Sequence, residues 1–105
     1  MRRAARTDSN HQDIVKSLRD IGCTVLNTHQ LKNAFDILVG YRGNLFIVEI
    51  KDGDKPKSAR KLTEGEEKCK RDFERVGVSY NVIESVEEAI KLVSSFQHSI
   101  CKCRN

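Results

Sequence analysis

Apolar positions recur along this chain at two spacings, and the alternation between them outlines the fold. Between residues 8 and 21, Ile14, Val15, Leu18 and Ile21 fall on one stripe of a helix, and Gly22 is placed to stop it. CTVLN (23–27) reads as a short strand, followed by the polar connection THQLKNA. FDILVG (35–40) and NLFIVEIK (44–51) are rich in β-branched residues and separated by a glycine-containing turn, as in a hairpin. The loop GDKPKSARK is basic and carries the only proline. Helical spacing returns near Thr63, where Thr63 and Glu66 fit a capping box, and runs to about Arg75 before Gly77. SYNVIE is a fourth strand, and SVEEAIKLVSSF a third helix with Ser85 and Glu88 as its capping box. The remaining QHSICKCRN (97–105) has no clear period and is expected to be a loose tail.

The order α-β-β-β-α-β-α predicts an α/β fold. The strands within 35–51 should form an antiparallel hairpin, and the helix between strands three and four a right-handed parallel crossover. That makes a small mixed four-stranded sheet flanked by helices. A length of 105 residues allows one domain with one core, preceded here by a basic arm over 1–7. With no tryptophan and 32% of residues charged, that core must be aliphatic. No apolar run approaches the roughly 20 residues that span a bilayer. MRRAARTDSN lacks the apolar segment of a secretory signal. The expectation is a soluble, cytoplasmic protein with no membrane association.

Four cysteines stand at 23, 69, 101 and 103, none in the C-x-x-C spacing of a zinc site. Cys23 and Cys69 read as small core residues of a reducing compartment, and the C-x-C tail has only His98 nearby as a further ligand. A formal charge of +4 is modest, but basic residues gather in KDGDKPKSARK while acidic ones dominate 64–67 and 84–88. Such local asymmetry suits a polyanion such as nucleic acid, although a solvated surface has the same composition.

The candidate chemistry lies in the hairpin. Side chains alternate faces along a strand, so Leu45, Ile47, Glu49 and Lys51 share one face, and Asp36, Leu38 and Gly40 share a face of the partner. With a turn centred on Arg42-Gly43, Tyr41 pairs with Asn44, and counting outward sets Asp36 opposite Glu49. Opposed residues have Cβ atoms about 4.5–5.5 Å apart. A turn with an odd number of residues would break this register. Two carboxylates that close repel, so one stays protonated or both share a cation. Hard oxygen donors favour Mg²⁺ or Mn²⁺, with water and phosphate completing the shell. Lys51 would stand beside a scissile phosphate and stabilise its developing charge. The chemistry implied is metal-assisted phosphodiester hydrolysis.

D-I-L-V, a turn and then E-I-K resembles the PD-(D/E)XK nuclease superfamily. With K-D-G, S-A-R-K-L-T and the element order, residues 8 to 93 are similar to the small stand-alone VRR-NUC-like nucleases common in bacteriophages. The resemblance implies a restriction-endonuclease-like αβββαβ core. It implies Asp36 and Glu49 as metal carboxylates, Lys51 as the catalytic lysine and the Ile50 carbonyl as a further ligand. The family's acidic residue on the first helix matches Asp13, which is shorter than the usual glutamate. Asp13 also suits a helix N-terminus, worth a few tenths of a kcal/mol to about 1 kcal/mol. The family's proline before the motif aspartate is Phe35 here, and its preceding glycine is Asn33. Its glutamine on the helix after the basic loop falls at Glu66 or Glu67. A glutamate there either adds a metal-facing carboxylate or, at Glu66, serves the capping box.

Lys55, Lys57, Arg60 and Lys61 follow the candidate site and would contact backbone phosphates, which give affinity with little base information. Nothing resembles a base-reading helix, so structure-selective cutting of branched DNA is expected. Relatives of this type are similar to Holliday junction resolvases, which act as homodimers. His11 reads as polar surface. His29 lies in the loop leading to Asp36 and could face the substrate. The rival reading is a nuclease-like module that binds DNA without cutting it.

Overall fold

Arg42 and Gly43, with φ of 50° and 85°, form a two-residue turn in the left-handed region, the geometry that matches the right-handed twist of paired strands. The computed structural model describes the backbone of residues 10–104 and the side chains of 10–95 other than 59. The basic arm at 1–7 and the side chains of the C-x-C tail lie outside these described residues. The elements are α1 (His11–Asp20), β1 (Thr24–Asn27), β2 (Ile37–Tyr41), β3 (Asn44–Ile50), a 3-10 turn (Lys57–Arg60), α2 (Glu64–Arg75), β4 (Tyr80–Ile83) and α3 (Val86–Arg104). The sheet runs β1-β2-β3-β4, antiparallel in its first two pairings and parallel between β3 and β4. This is the mixed sheet the pattern predicts.

One face of the sheet carries the main core. Val25, Ile37, Val39, Phe46, Val48, Ile50 and Ile83 point to Ile14, Val15 and Leu18 of α1 and to Ala89 and Val93 of α3. Each of these valine, leucine, isoleucine and phenylalanine side chains, fully removed from water, contributes roughly 1.5–3 kcal/mol. On the other face, Leu26, Leu38 and Ile47 form one cross-strand row. Here α2 packs over β4, and its Phe73 makes an edge-on contact with Phe35 just before β2, at 6.3 Å between ring centres, while α2 buries none of its own residues. Leu26 and Leu45 stay more than half exposed. The candidate chemistry therefore sits on the thinly covered face, against a rigid back wall.

Two boundaries differ from the periodicity. α1 begins at His11 because the Asn10 side-chain amide donates to Lys51 O at 3.2 Å and Glu84 O at 2.9 Å, tying the helix start to the ends of β3 and β4. α3 continues through the segment expected to be loose, since residues 97–104 contain neither glycine nor proline to stop it. Ser85 Oγ accepts Glu88 N–H at 3.1 Å as a cap, while the Glu88 carboxylate takes the N–H of Glu84 rather than that of Ser85. No helix among the described residues is long and apolar enough to cross a membrane.

Candidate active site

The hairpin register runs from Tyr41–Asn44 to Ile37–Val48, as the two-residue turn requires. It stops one residue short of Asp36 and Glu49. Asp36 N–H donates to Val48 O at 3.1 Å, so Asp36 and Ile37 both face Val48, the pattern of a β-bulge. Asp36 therefore does not stand square to Glu49, as simple counting expects. Its Oδ2 reaches further along β3 and accepts Ile50 N–H at 2.7 Å. The other side of Asp36 is fixed by Thr28, whose N–H donates to Asp36 O at 2.8 Å and whose hydroxyl donates to Phe35 O at 3.0 Å. A bulge beside a site re-aims a side chain, and here it aims a carboxylate.

Glu49 is 3% exposed, on the α2 side of the sheet. Burial, then the charges of Asp36 and Glu66, push its carboxyl up to about 9, against the counteracting pull of Lys51. Lys51 Nζ lies 3.3 Å from Glu49 Oε2 and 3.1 Å from Glu66 Oε1. Burial alone would lower the Lys51 ammonium, but its bond to Glu66 and the charges of Glu49 and Glu66 outweigh that and hold it raised. Burial works against the Glu66 carboxylate as well. The N–H of Thr63, Glu49 and Lys51 more than compensate and hold it below the ordinary glutamate range. The Lys51 backbone is equally fixed, its N–H donating to Ile83 O at 2.9 Å and its carbonyl accepting from Asn10.

These groups line a cavity of about 300 Å³ with Ile50 and the loop 29–33. Three carboxyl groups around one ammonium are more than it can neutralise in a poorly solvated place, and Glu49 is driven toward its protonated form. A divalent cation would relieve it, and hard oxygen donors are the ones Mg²⁺ and Mn²⁺ take. No three His, Cys, Asp or Glu side chains among the described residues are spaced to close on one ion. An ion held here would keep one or two carboxylates and complete its shell with carbonyl, water and phosphate, as Mg²⁺ does.

Not every candidate converges here. Asp13 is exposed and lines a different, acidic cavity with Asp52, Asp54 and Glu84. Glu67 is exposed on α2. Glu66 closes the capping box with Thr63 and also holds Lys51, so the two roles weighed for it coexist on one side chain. Lys55, Lys57 and Lys61 are exposed, but the Arg60 guanidinium turns inward to Glu84 at 2.9 Å and pins the basic loop. His29 lines the cavity, with its Nδ1 buried and without a partner. His11 is buried rather than a surface residue: its Nε2 meets Asn27 Oδ1 at 2.8 Å and its ring stands edge-on to His29 at 5.1 Å.

No family model matches the chain, and no curated protein does. A solved structure described as "VRR_NUC domain" matches with a TM-score of 0.60 over 83% of this chain and 97% of that chain, at 22% identity. The fold is that of a VRR_NUC domain. Within the VRR_NUC fold the two departures noted in the sequence have local explanations. Asn33 adopts φ 56°, a left-handed conformation glycine takes freely and asparagine tolerates best among other residues. Phe35, in place of proline, supplies the contact that seats α2 through Phe73. Asn10 is not among the candidates in the sequence and His11 reads there as surface; their partners lie up to 74 positions away. Their only signal was a polar residue at a helix start and a histidine one step from an apolar stripe.

Proposed function

We propose that this chain is a metal-dependent deoxyribonuclease, structure-selective for branched DNA such as a Holliday junction. The observation that carries the reading is Glu49, a carboxyl buried to 3% exposure with Lys51 Nζ 3.3 Å away, in a cavity it shares with an aimed Asp36. Asp36 and Glu49, with the Ile50 carbonyl, would hold Mg²⁺ or Mn²⁺, which supplies Lewis acidity to polarise a phosphate and activate water. Lys51 presents its ammonium to the phosphate and stabilises charge developing on the non-bridging oxygens. The bond of Ile50 N–H to Asp36 keeps that carboxylate oriented before substrate arrives, which lowers the reorganisation needed at the reacting centre. Lys55, Lys57 and Lys61 contact backbone phosphates and bring the duplex across the thinly covered face. Action as a homodimer, with two such sites on one branched duplex in a bacterial cytoplasm, belongs to the same reading.

The test incubates branched, nicked, single-stranded and linear DNA with the protein and Mg²⁺ or Mn²⁺. Cleavage of branched DNA in preference to the others, slowed at least about 100-fold in Glu49→Ala and Lys51→Ala, is the expected result. Equal cutting by the variants would remove the site from the chemistry, and binding without cutting by the wild type would favour a non-cleaving module.

A further inference from the structure

Lys51 needs more than the strand beneath it to place its charge. A lysine carries four rotatable side-chain bonds and about 2 kcal/mol of rotamer entropy, so a fixed backbone leaves its ammonium free to wander. Among the described residues, Glu66 Oε1 restrains it from outside the strand. Glu66 Oε1 accepts from Lys51 Nζ at 3.1 Å and from Thr63 N–H at 2.9 Å. Glu66 is itself over-determined: its backbone N–H donates to Thr63 Oγ1 at 3.2 Å, its side chain is 17% exposed, and it stands in the first turn of α2, where the helix dipole favours a carboxylate. Glu49, the other anion touching Lys51, is assigned above to a different task.

We propose that Glu66 is a positioning residue, whose Oε1, anchored on the Thr63 backbone N–H, holds the Lys51 ammonium where it meets the scissile phosphate. The proposal rests on the nuclease reading. It departs from both simpler roles for this residue, a metal ligand or a helix cap alone. A positioning role needs one acceptor oxygen that reaches Nζ while remaining anchored, and Oε1 is that atom. A glutamine oxygen can occupy the same place, whereas an aspartate stops one methylene short.

The experiment measures kcat and KM on branched DNA at saturating Mg²⁺, with melting temperatures taken without metal. Glu66→Ala, or Glu66→Asp where the alanine variant does not fold, lowers kcat by about 10- to 100-fold with little change in KM for DNA, as a misplaced catalytic group does. Glu66→Gln recovers to within about threefold of wild type because its amide oxygen can accept both bonds. Thr63→Ala loses only the hydroxyl cap and keeps its backbone N–H, so it lowers the melting temperature while kcat is kept. In a Lys51→Ala background, adding Glu66→Ala changes kcat by less than about twofold, since the two act as a unit. Wild-type kcat in the shortened variants overturns the proposal. So does a kcat loss that Thr63→Ala reproduces, or one that adds in full to Lys51→Ala. A wild type that cuts no DNA overturns the nuclease reading and this proposal with it, whereas a cutting wild type with an indifferent Glu66 overturns this proposal alone.

Discussion

Glu49 couples the site to the stability of the fold. An unfolded glutamate titrates near its ordinary 4.5, whereas the folded chain holds this one up to about 9, first by burial and then by Asp36 and Glu66. Between those values the folded state keeps a proton that the unfolded state has released, so this group makes stability fall as pH rises through that window. Metal-free Glu49→Gln should therefore melt several degrees above wild type at pH 9, with the difference shrinking toward pH 5. Scanning calorimetry across that range checks it, and a pH-independent difference would contradict it. The charges themselves were legible in the sequence, because Asp36 and Glu49 interrupt apolar strands. The aim of Asp36 was not, because it depends on a bulge stabilised by Thr28 from across a loop, and strand alternation contains no sign of it.

Helix α2 forms the outer wall of the site, and its seat depends on one close approach. A Cβ on Gly65 would overlap the side chain of Asn33 in the loop that lines the cavity. Gly65→Ala should destabilise the protein by about 1–3 kcal/mol, as overpacking does, and displace the wall next to Glu66. Adding Asn33→Gly should recover most of the loss, because glycine removes the clash and accepts φ 56°. Chemical denaturation of the single and double variants tests this, and equal stability of Gly65→Ala and wild type would contradict it. Capping boxes and turn residues made α2 and the hairpin readable, since their signals lie within a few residues. The extension of α3 was less readable because a helix end without glycine or proline is decided by the energetics of its neighbours. The inward turn of Arg60 was hidden for another reason: its partner Glu84 lies 24 positions away.

The described residues form a sheet backed by α1 and α3, with the candidate site on the opposite, thinly covered face and the exposed Lys55, Lys57 and Lys61 on the adjoining loop. That distribution leads to a salt prediction. Lys57→Ala and Lys61→Ala should each weaken DNA binding and reduce the slope of log K against log salt by about 1. An unchanged slope in titrations at several salt concentrations would take the loop out of the interface. Arg60→Ala, which breaks an internal ion pair, should instead loosen the loop. Element order and sheet topology were legible at this scale because the periods of the apolar positions change at each boundary. How the two faces differ in cover was not, because α2 reaches the sheet through few side chains. As a nuclease centre, Glu49 and Lys51 would together perform metal-assisted hydrolysis. Single-turnover cleavage of one labelled branched DNA by excess protein in Mg²⁺ tests it most directly, with DNA binding measured in parallel. Glu49→Ala and Lys51→Ala should bind DNA about as well as wild type but cleave it at least about 100-fold more slowly, the scale of a lost electrostatic stabiliser. Cleavage by either variant at the wild-type rate would contradict it.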